Sequence, residues 1–585
     1  MKVCIDLMVA KIVRKPNLHS RVTDRLQAQH PVMNSAPPSS NWLLWLRNTA
    51  ILGALAVGAF LGVAELLTPP VAELGSAPGL PKAQLEDIQR TAQAVNADFE
   101  KAWAQQQILP TAKTDDLTLV RRLSLALTGS IPSLQEIRML ESLKSADVPQ
   151  WWLSHLLSDR RTSDYLAERL ARVYVGIENG PFLMYRRRRL VDWLSDSIQQ
   201  NRPYDQVARA LIDSNGVWTT NPEVNFVTVT NQMNKKGPDE VKLAAKVSRA
   251  FLGVRIDCVQ CHDGKLGSTW KQTDFHQLAA FFGQADFSLN GLRDDPKQNY
   301  KVRYLGKMED EKVPAKVPWK PELLPSSGTP REKLATWVTA KENKAFARAM
   351  VNRMWALLFN RPLVAPVDEI PLEGPFPAGM ELLADDFISH GYDMQRLIRV
   401  IVGTQAFQMS SQSSDPDHPV TVAAENAWAA FPVTRLRPEQ MAGSVIQAAS
   451  LSTIDAETHV LFRLKRDIDV TNFVKRYGDS GEDTFDDGGG TIPQRLLLMN
   501  GNMISNNTGN NPLINASTRI GMLSPDNATA VEAAYLSIFT RRPTPAEQSH
   551  FTGLLATSKS RSSRSIAMSD LYWTLMNATE FSWNH

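Results

Sequence analysis

Two cysteines and a histidine stand together in Cys258-Val259-Gln260-Cys261-His262. Thiols three positions apart can each form a thioether to one vinyl group of a haem. The adjacent imidazole can then bind the iron as its proximal ligand. The C-x-x-C-H spacing is therefore the attachment pattern of a covalent c-type haem. The chain has 3 cysteines and 10 histidines in 585 residues. At that composition a random match arises in only about 3 of 10,000 sequences.

Other chemistries suit the same atoms. A disulfide between Cys258 and Cys261 fits an oxidising compartment and gives His262 no role. A zinc site would take both thiolates and His262, and it needs a fourth ligand. His276, Asp257 and Asp263 lie close enough in sequence to be considered. A thiol redox pair requires thioredoxin-like βαβ surroundings, which the flanking sequence lacks. For a sixth haem ligand the candidates are Met233, His276 and Met308. A methionine there raises the potential for electron transfer, and an open position suits ligand binding.

Other clusters point to chemistry less directly. Arg186–Arg189 reads as a solvated or carboxylate-paired helix face rather than an anion site. Asp479, Glu482, Asp483, Asp486 and Asp487 crowd a Gly-rich loop that could hold Ca²⁺, but not at EF-hand spacing. No G-x-S-x-G, P-loop, Rossmann or H-E-x-x-H pattern occurs. The sequence therefore names no catalytic residue and gives no positive support for a hydrolase or a dinucleotide enzyme.

The motif needs a scaffold, and the pattern around it is helical. Pro238-Asp239 opens a helix, with proline and acid at positions the first turn favours. Leu243, Val247, Ala250, Phe251 and Val254 give it one apolar stripe, so the motif hangs from the end of a packed helix. Leu85, Ile88, Ala92, Val95, Phe99 and Trp103 recur at helical spacing. So do Leu119, Leu123, Ala126 and Leu127, closed by Thr128-Gly129. Pro132-Ser133 starts another helix. Residues 186–211 read as a long amphipathic helix broken at Asn201-Arg202-Pro203. After 331 the pattern resumes in ARAMVNRMWALLFNR and MQRLIRVIVGTQAF.

The expected fold is mainly α. Two helical domains, 83–290 and 331–585, are joined by a Pro-rich linker over 291–330 that holds one hairpin. They follow an N-terminal tail over 1–41, an apolar membrane or signal segment over 42–67, and a proline-stiffened tether over 68–82. Residues 50–64 carry no charge, but fifteen apolar residues fall short of the roughly 20 that span a bilayer. Extension to Leu67 gives a marginal span, either a signal anchor or a signal cleaved after Gly62-Val63-Ala64. A start at Met33 would make the segment more compact. Seven Lys or Arg against two acids precede it, which keeps the first residues in the cytoplasm and exports the rest. The expected location is the cytoplasmic membrane with the later domains on the periplasmic side, or secretion after cleavage. Beyond residue 67 the chain has 57 basic and 58 acidic side chains. That balance gives no electrostatic case for a nucleic-acid partner.

A family resemblance rests on longer stretches. FLGVRIDCVQCHD followed by WKQTDFHQLAAFFGQ resembles the planctomycete cytochrome-c-like PSCyt domain, domain of unknown function 1549. RRLSLALTGSIPSLQEI and NRPYDQVARALIDSNG are similar to its opening and middle. REKLATWVTAKENKAFARAMVNRMWALLFNRPLVAPVDEI and HGYDMQRLIRVIVGTQAFQMSS resemble its usual partner, the PSD domain, domain of unknown function 1553. The ending YLSIFTRRPTPAEQ…LMNATEFSWNH is similar to it too. The resemblance implies an exported protein with haem held at Cys258, Cys261 and His262, and a redox-protein partner. The alternative is a non-redox binding or scaffold protein of the cell exterior, in which C-x-x-C-H is a metal or disulfide staple. The family often continues C-x-x-C-H-D-H, whereas this chain has His262-Asp263-Gly264, so a ligand from that second histidine is missing.

Overall fold

The computed structural model describes residues 45–54, 57 and 79–585, except 144–146, 178–184, 232–236, 265–269, 289, 305–306, 414, 416, 418, 456–457, 459, 479–484, 486–490 and 513. Residues 70–585 form one compact unit and 1–69 another. In the first unit only 45–54 and 57 are described, as exposed helix. Among the described residues no helix is long and apolar enough to cross a membrane. The tail, most of the apolar segment and most of the tether lie outside the described residues, as do Met233 and the acidic cluster from Asp479 to Asp487.

The main unit is overwhelmingly helical, and its helices follow the apolar periodicity. Lys82–Gln106 buries Ile88, Ala92, Val95, Phe99 and Trp103. Asp116–Thr128 buries Leu119, Leu123, Ala126 and Leu127, and it ends at Gly129 with φ 68°, where a side chain would be strained. Leu134–Ser142 starts at Ser133, whose hydroxyl and Glu136 form a reciprocal cap. The basic amphipathic stretch divides into Arg187–Gln199 and Tyr204–Asp213. The break holds Asn201 at φ 48° and a proline that cannot donate.

The boundary expected at 291–330 is not a boundary between cores. One apolar cluster runs from Ile88 to Phe431, and a second joins Leu125 and Ile131 to residues 436–581. The Pro-rich stretch pairs Gly291–Asp294 antiparallel with the preceding Ala285–Ser288, and forms one pair of its own, Lys301–Val302 with Glu311–Lys312. It is tied down by Trp319 against Trp337, 4.9 Å between rings, and by Asp294 paired with the buried Arg331 at 2.7 Å.

Helix Asp116–Thr128 lies against both clusters and carries two buried arginines. Arg121 donates to the Ile538 carbonyl at 3.0 Å. Arg122 donates to the carbonyls of Phe407 and Met409 at 2.9 and 2.8 Å, and its guanidinium lies 3.6 Å over the Phe431 ring. Each guanidinium thus places donors on backbone oxygens that burial would otherwise leave unpaired, while Arg121 Nε and Arg122 Nη2 make no hydrogen bond among the described residues. Two of the four arginines in the Arg186–Arg189 run are carboxylate-paired. Arg187 binds Glu168 through two bonds of 2.9 and 2.8 Å, and Arg188 binds Asp192 at 2.8 Å.

A second ionic cluster joins helix Arg160–Val175 to helix Pro438–Ala448. Glu439 accepts from Arg169 at 2.8 Å and from Arg437 at 2.9 Å. Burial alone would raise its carboxyl, but Arg169, Arg437 and Arg172 outweigh that and hold it at about 2. Its stabilising effect is therefore complete above the ordinary glutamate value of 4.5 and is lost as pH falls through about 2. Replacing Glu439 by Gln removes the carboxylate that Arg169 and Arg437 share, which should cost about 3–5 kcal/mol. Urea unfolding at neutral pH checks this. A change below about 1 kcal/mol would show that the cluster behaves as an ordinary surface pair.

Candidate functional site

Helix Glu240–Leu252 begins with the Asp239 carboxylate accepting from the Lys242 amide, and it buries Leu243, Val247, Ala250 and Phe251. It ends at Gly253 in the left-handed region, φ 64°. A Cβ there would also lie 2.9 Å from Ile370 Cδ1 and 3.2 Å from Ala349 Cβ. Glycine thus meets two demands at once, the turn and the close approach of another segment. The chain then passes through buried Val254 and Ile256 into a single 3₁₀ turn over Asp257–Gln260.

That turn explains how the motif is displayed. Cys258 lies within the turn and Cys261 directly follows it; both are exposed, and among the described residues neither is in a disulfide. Val259 is buried and anchors the turn. His262 is also exposed, and its Nδ1 lies 2.7 Å from the Asp263 carbonyl. A carbonyl can only accept, so Nδ1 carries the proton and Nε2 of the neutral ring keeps its lone pair.

The remainder of the loop is braced from helix Gln272–Ala279. The Gln260 carbonyl, midway between the two cysteines, accepts from Gln272 Nε2 at 3.0 Å and from His276 Nε2 at 3.1 Å. The Gln272 amide donates to the Asp263 carboxylate at 2.8 Å. His276 Nδ1 accepts from the Tyr300 hydroxyl at 2.8 Å. His276 is only 4% exposed, and burial pushes its pKa down, which favours the neutral ring this relay needs. Both of its ring nitrogens are engaged, so it serves here as a brace, not as a sixth haem ligand or a fourth zinc ligand. Met308 is 93% exposed on the second hairpin. Among the described residues, no group of three or more His, Cys, Asp or Glu side chains converges as a metal site.

A contributor that the motif does not reveal comes from far along the chain. Asp368 is buried and bridges two arginines on either side of Gly253. Its Oδ2 accepts from Arg249 Nε at 2.6 Å, and its Oδ1 accepts from Arg255 Nε at 3.0 Å. Burial would raise this carboxyl, but Arg249 and Arg255 hold it below the ordinary carboxylate value. The Ile370 amide donates to the Gly253 carbonyl at 2.7 Å. Asp368 is itself positioned by Asn352, fully buried on helix Lys344–Phe359. Asn352 donates to the carbonyls of Val364 and Val367 and accepts from the Val364 amide.

The donor set fits a c-type haem. Cys258 and Cys261 offer two exposed thiols that are not in a disulfide, one in the turn and one just after it. His262 has one ring nitrogen tied to a carbonyl and the other left to bind iron, the usual way a ligating imidazole is oriented. Replacing His276 by Leu should remove the brace on Gln260 and leave the Tyr300 hydroxyl without its acceptor, at a cost of about 1–3 kcal/mol. Chemical denaturation measures it. A loss under about 0.5 kcal/mol would mean that the relay does not hold the loop.

Residues 94–287 match the family model PSCyt2, described as a protein of unknown function, DUF1549. Residues 330–467 match PSD1, described as a protein of unknown function, DUF1553. The sequence resemblance seen beyond 467 lies outside the matched range. Neither the curated proteins nor the solved structures contain a match to this chain.

Proposed function

We propose, for a chain that joins a PSCyt2 domain to a PSD1 domain in that order, that it is an exported protein carrying one covalent haem on its Cys258–His262 loop. When bound, the haem supplies a one-electron redox centre. Cys258 and Cys261 hold it through thioethers, and His262 binds the iron through Nε2. The observation that supports this reading is an exposed 3₁₀ turn carrying Cys258, followed at once by the exposed Cys261 and by an imidazole whose Nδ1 faces a carbonyl.

The accessibility of the loop favours electron exchange with a protein partner over chemistry in a sealed pocket. Export is part of the proposal, because c-type haem is attached outside the cytoplasmic membrane in bacteria. The basic N-terminal segment and the apolar run after it are read as the export signal or membrane anchor.

Expression with haem-attachment machinery, in a host that exports the chain, should give a red protein. A Soret band that survives acid-acetone extraction is expected at one haem per chain by pyridine haemochrome assay. The Cys258→Ala, Cys261→Ala double variant should be folded and colourless. A colourless wild type under these conditions contradicts the proposal and leaves the two thiols a structural role only.

A further inference from the structure

We propose that Asp368 is a positioning residue for the Cys258–His262 loop, so that the PSD1-type half of the chain completes the site on the PSCyt2-type half. The argument is one of connectivity. Arg249 sits in the last turn of the helix that leads into the loop, and Arg255 lies just before the 3₁₀ turn. Asp368 takes one guanidinium on each oxygen, at 2.6 and 3.0 Å. A second contact from Arg255 Nη2, at 2.9 Å, makes that pairing two-pronged. Both Arg255 nitrogens converge on the one oxygen Oδ1, and Arg249 takes the other. Arg249 also reaches towards Asp257, the residue before Cys258, at 3.9 Å. The Arg255 carbonyl lies 4.0 Å from the Cys258 sulfur.

The other end of the clamp is rigid. Asn352 is fully buried and makes three bonds to the segment that presents Asp368. The Ile370 amide closes the clamp on the Gly253 carbonyl. The path from Asn352 to the loop therefore runs from neutral amide bonds on the segment that carries Asp368 to charge-assisted bonds on Arg249 and Arg255. The family models meet at this point, since Asp368 falls within 330–467 and the loop within 94–287. The two halves would then occur together because the loop needs both.

The thiol and exchange readouts below do not depend on haem; only the haem readout rests on the function proposed above. Asp368→Asn keeps the size of the side chain and removes its charge. In protein made without haem, amides over 253–264 should exchange with solvent at least tenfold faster, with helix Asp116–Thr128 unchanged. The freed loop should also close the Cys258–Cys261 disulfide more readily, with an equilibrium constant against glutathione raised fivefold or more. In haem-competent cells the haem content per chain should fall by half or more. Arg255→Gln removes one arm only and keeps the test open if Asp368→Asn fails to fold. It should show the same local effect, and the double variant should be no worse than the stronger single one. Glu381→Gln, which breaks the Arg348 pair at 2.5 Å in the same half, controls for general destabilisation and should leave 253–264 unmoved. Unchanged exchange and disulfide equilibrium in both loop variants would overturn the proposal. So would an equal rise in exchange throughout the molecule. A wild type without haem sinks the function proposed above and leaves this assignment to the exchange result.

Discussion

The architecture of the site depends on one buried carboxylate between two guanidiniums. A loop that displays two thiols and an imidazole to solvent cannot be held by apolar burial of those three side chains. It must be held from its flanks. Val259 and Ile256 supply what burial the loop has, but apolar contacts are non-directional and do not fix a turn. Direction comes from the ionic and backbone bonds that Asp368 and Ile370 make around Gly253, and from the His276–Gln260 contact on the other side. In the Arg–Asp–Arg bridge, two guanidiniums on the shared carboxylate oppose the penalty that burial puts on its charge.

The same logic recurs across the compact unit. Buried arginines satisfy carbonyls at Arg121 and Arg122, a carboxylate at Arg331, and a glutamate shared by two helices at Arg169 and Arg437. Those of Arg121, Arg122 and Arg169 join segments hundreds of residues apart. They account for a core that ignores the expected linker: the Pro-rich stretch is packed by individual aromatic and ionic contacts rather than by a repeating face.

Helices with a strong apolar stripe were legible from sequence, because a period of 3.6 records one-sided burial directly. The motif was legible because its chemistry is compressed into five consecutive residues. Asp368 was not. It sits in a Pro-rich turn without periodicity, and its partners lie 119 and 113 positions away, a separation that local pattern cannot encode. His276 was visible as a candidate ligand, but ring nitrogens that bind a metal and ring nitrogens that brace a loop look alike in sequence. Only the placement of Tyr300 and the Gln260 carbonyl separates the two. The hairpins near 285–312 were partly hidden for a related reason, since strands of two to four residues are too short to show an alternation.

The central claim is that the clamped loop is built to carry haem through both cysteines. Mass spectrometry of the proteolytic peptide spanning residues 258–262, from protein exported in haem-competent cells, tests it most directly. The account predicts one peptide heavier by a single haem, with no free thiol at Cys258 or Cys261. An unmodified peptide, with both thiols free or joined as a disulfide, would contradict it.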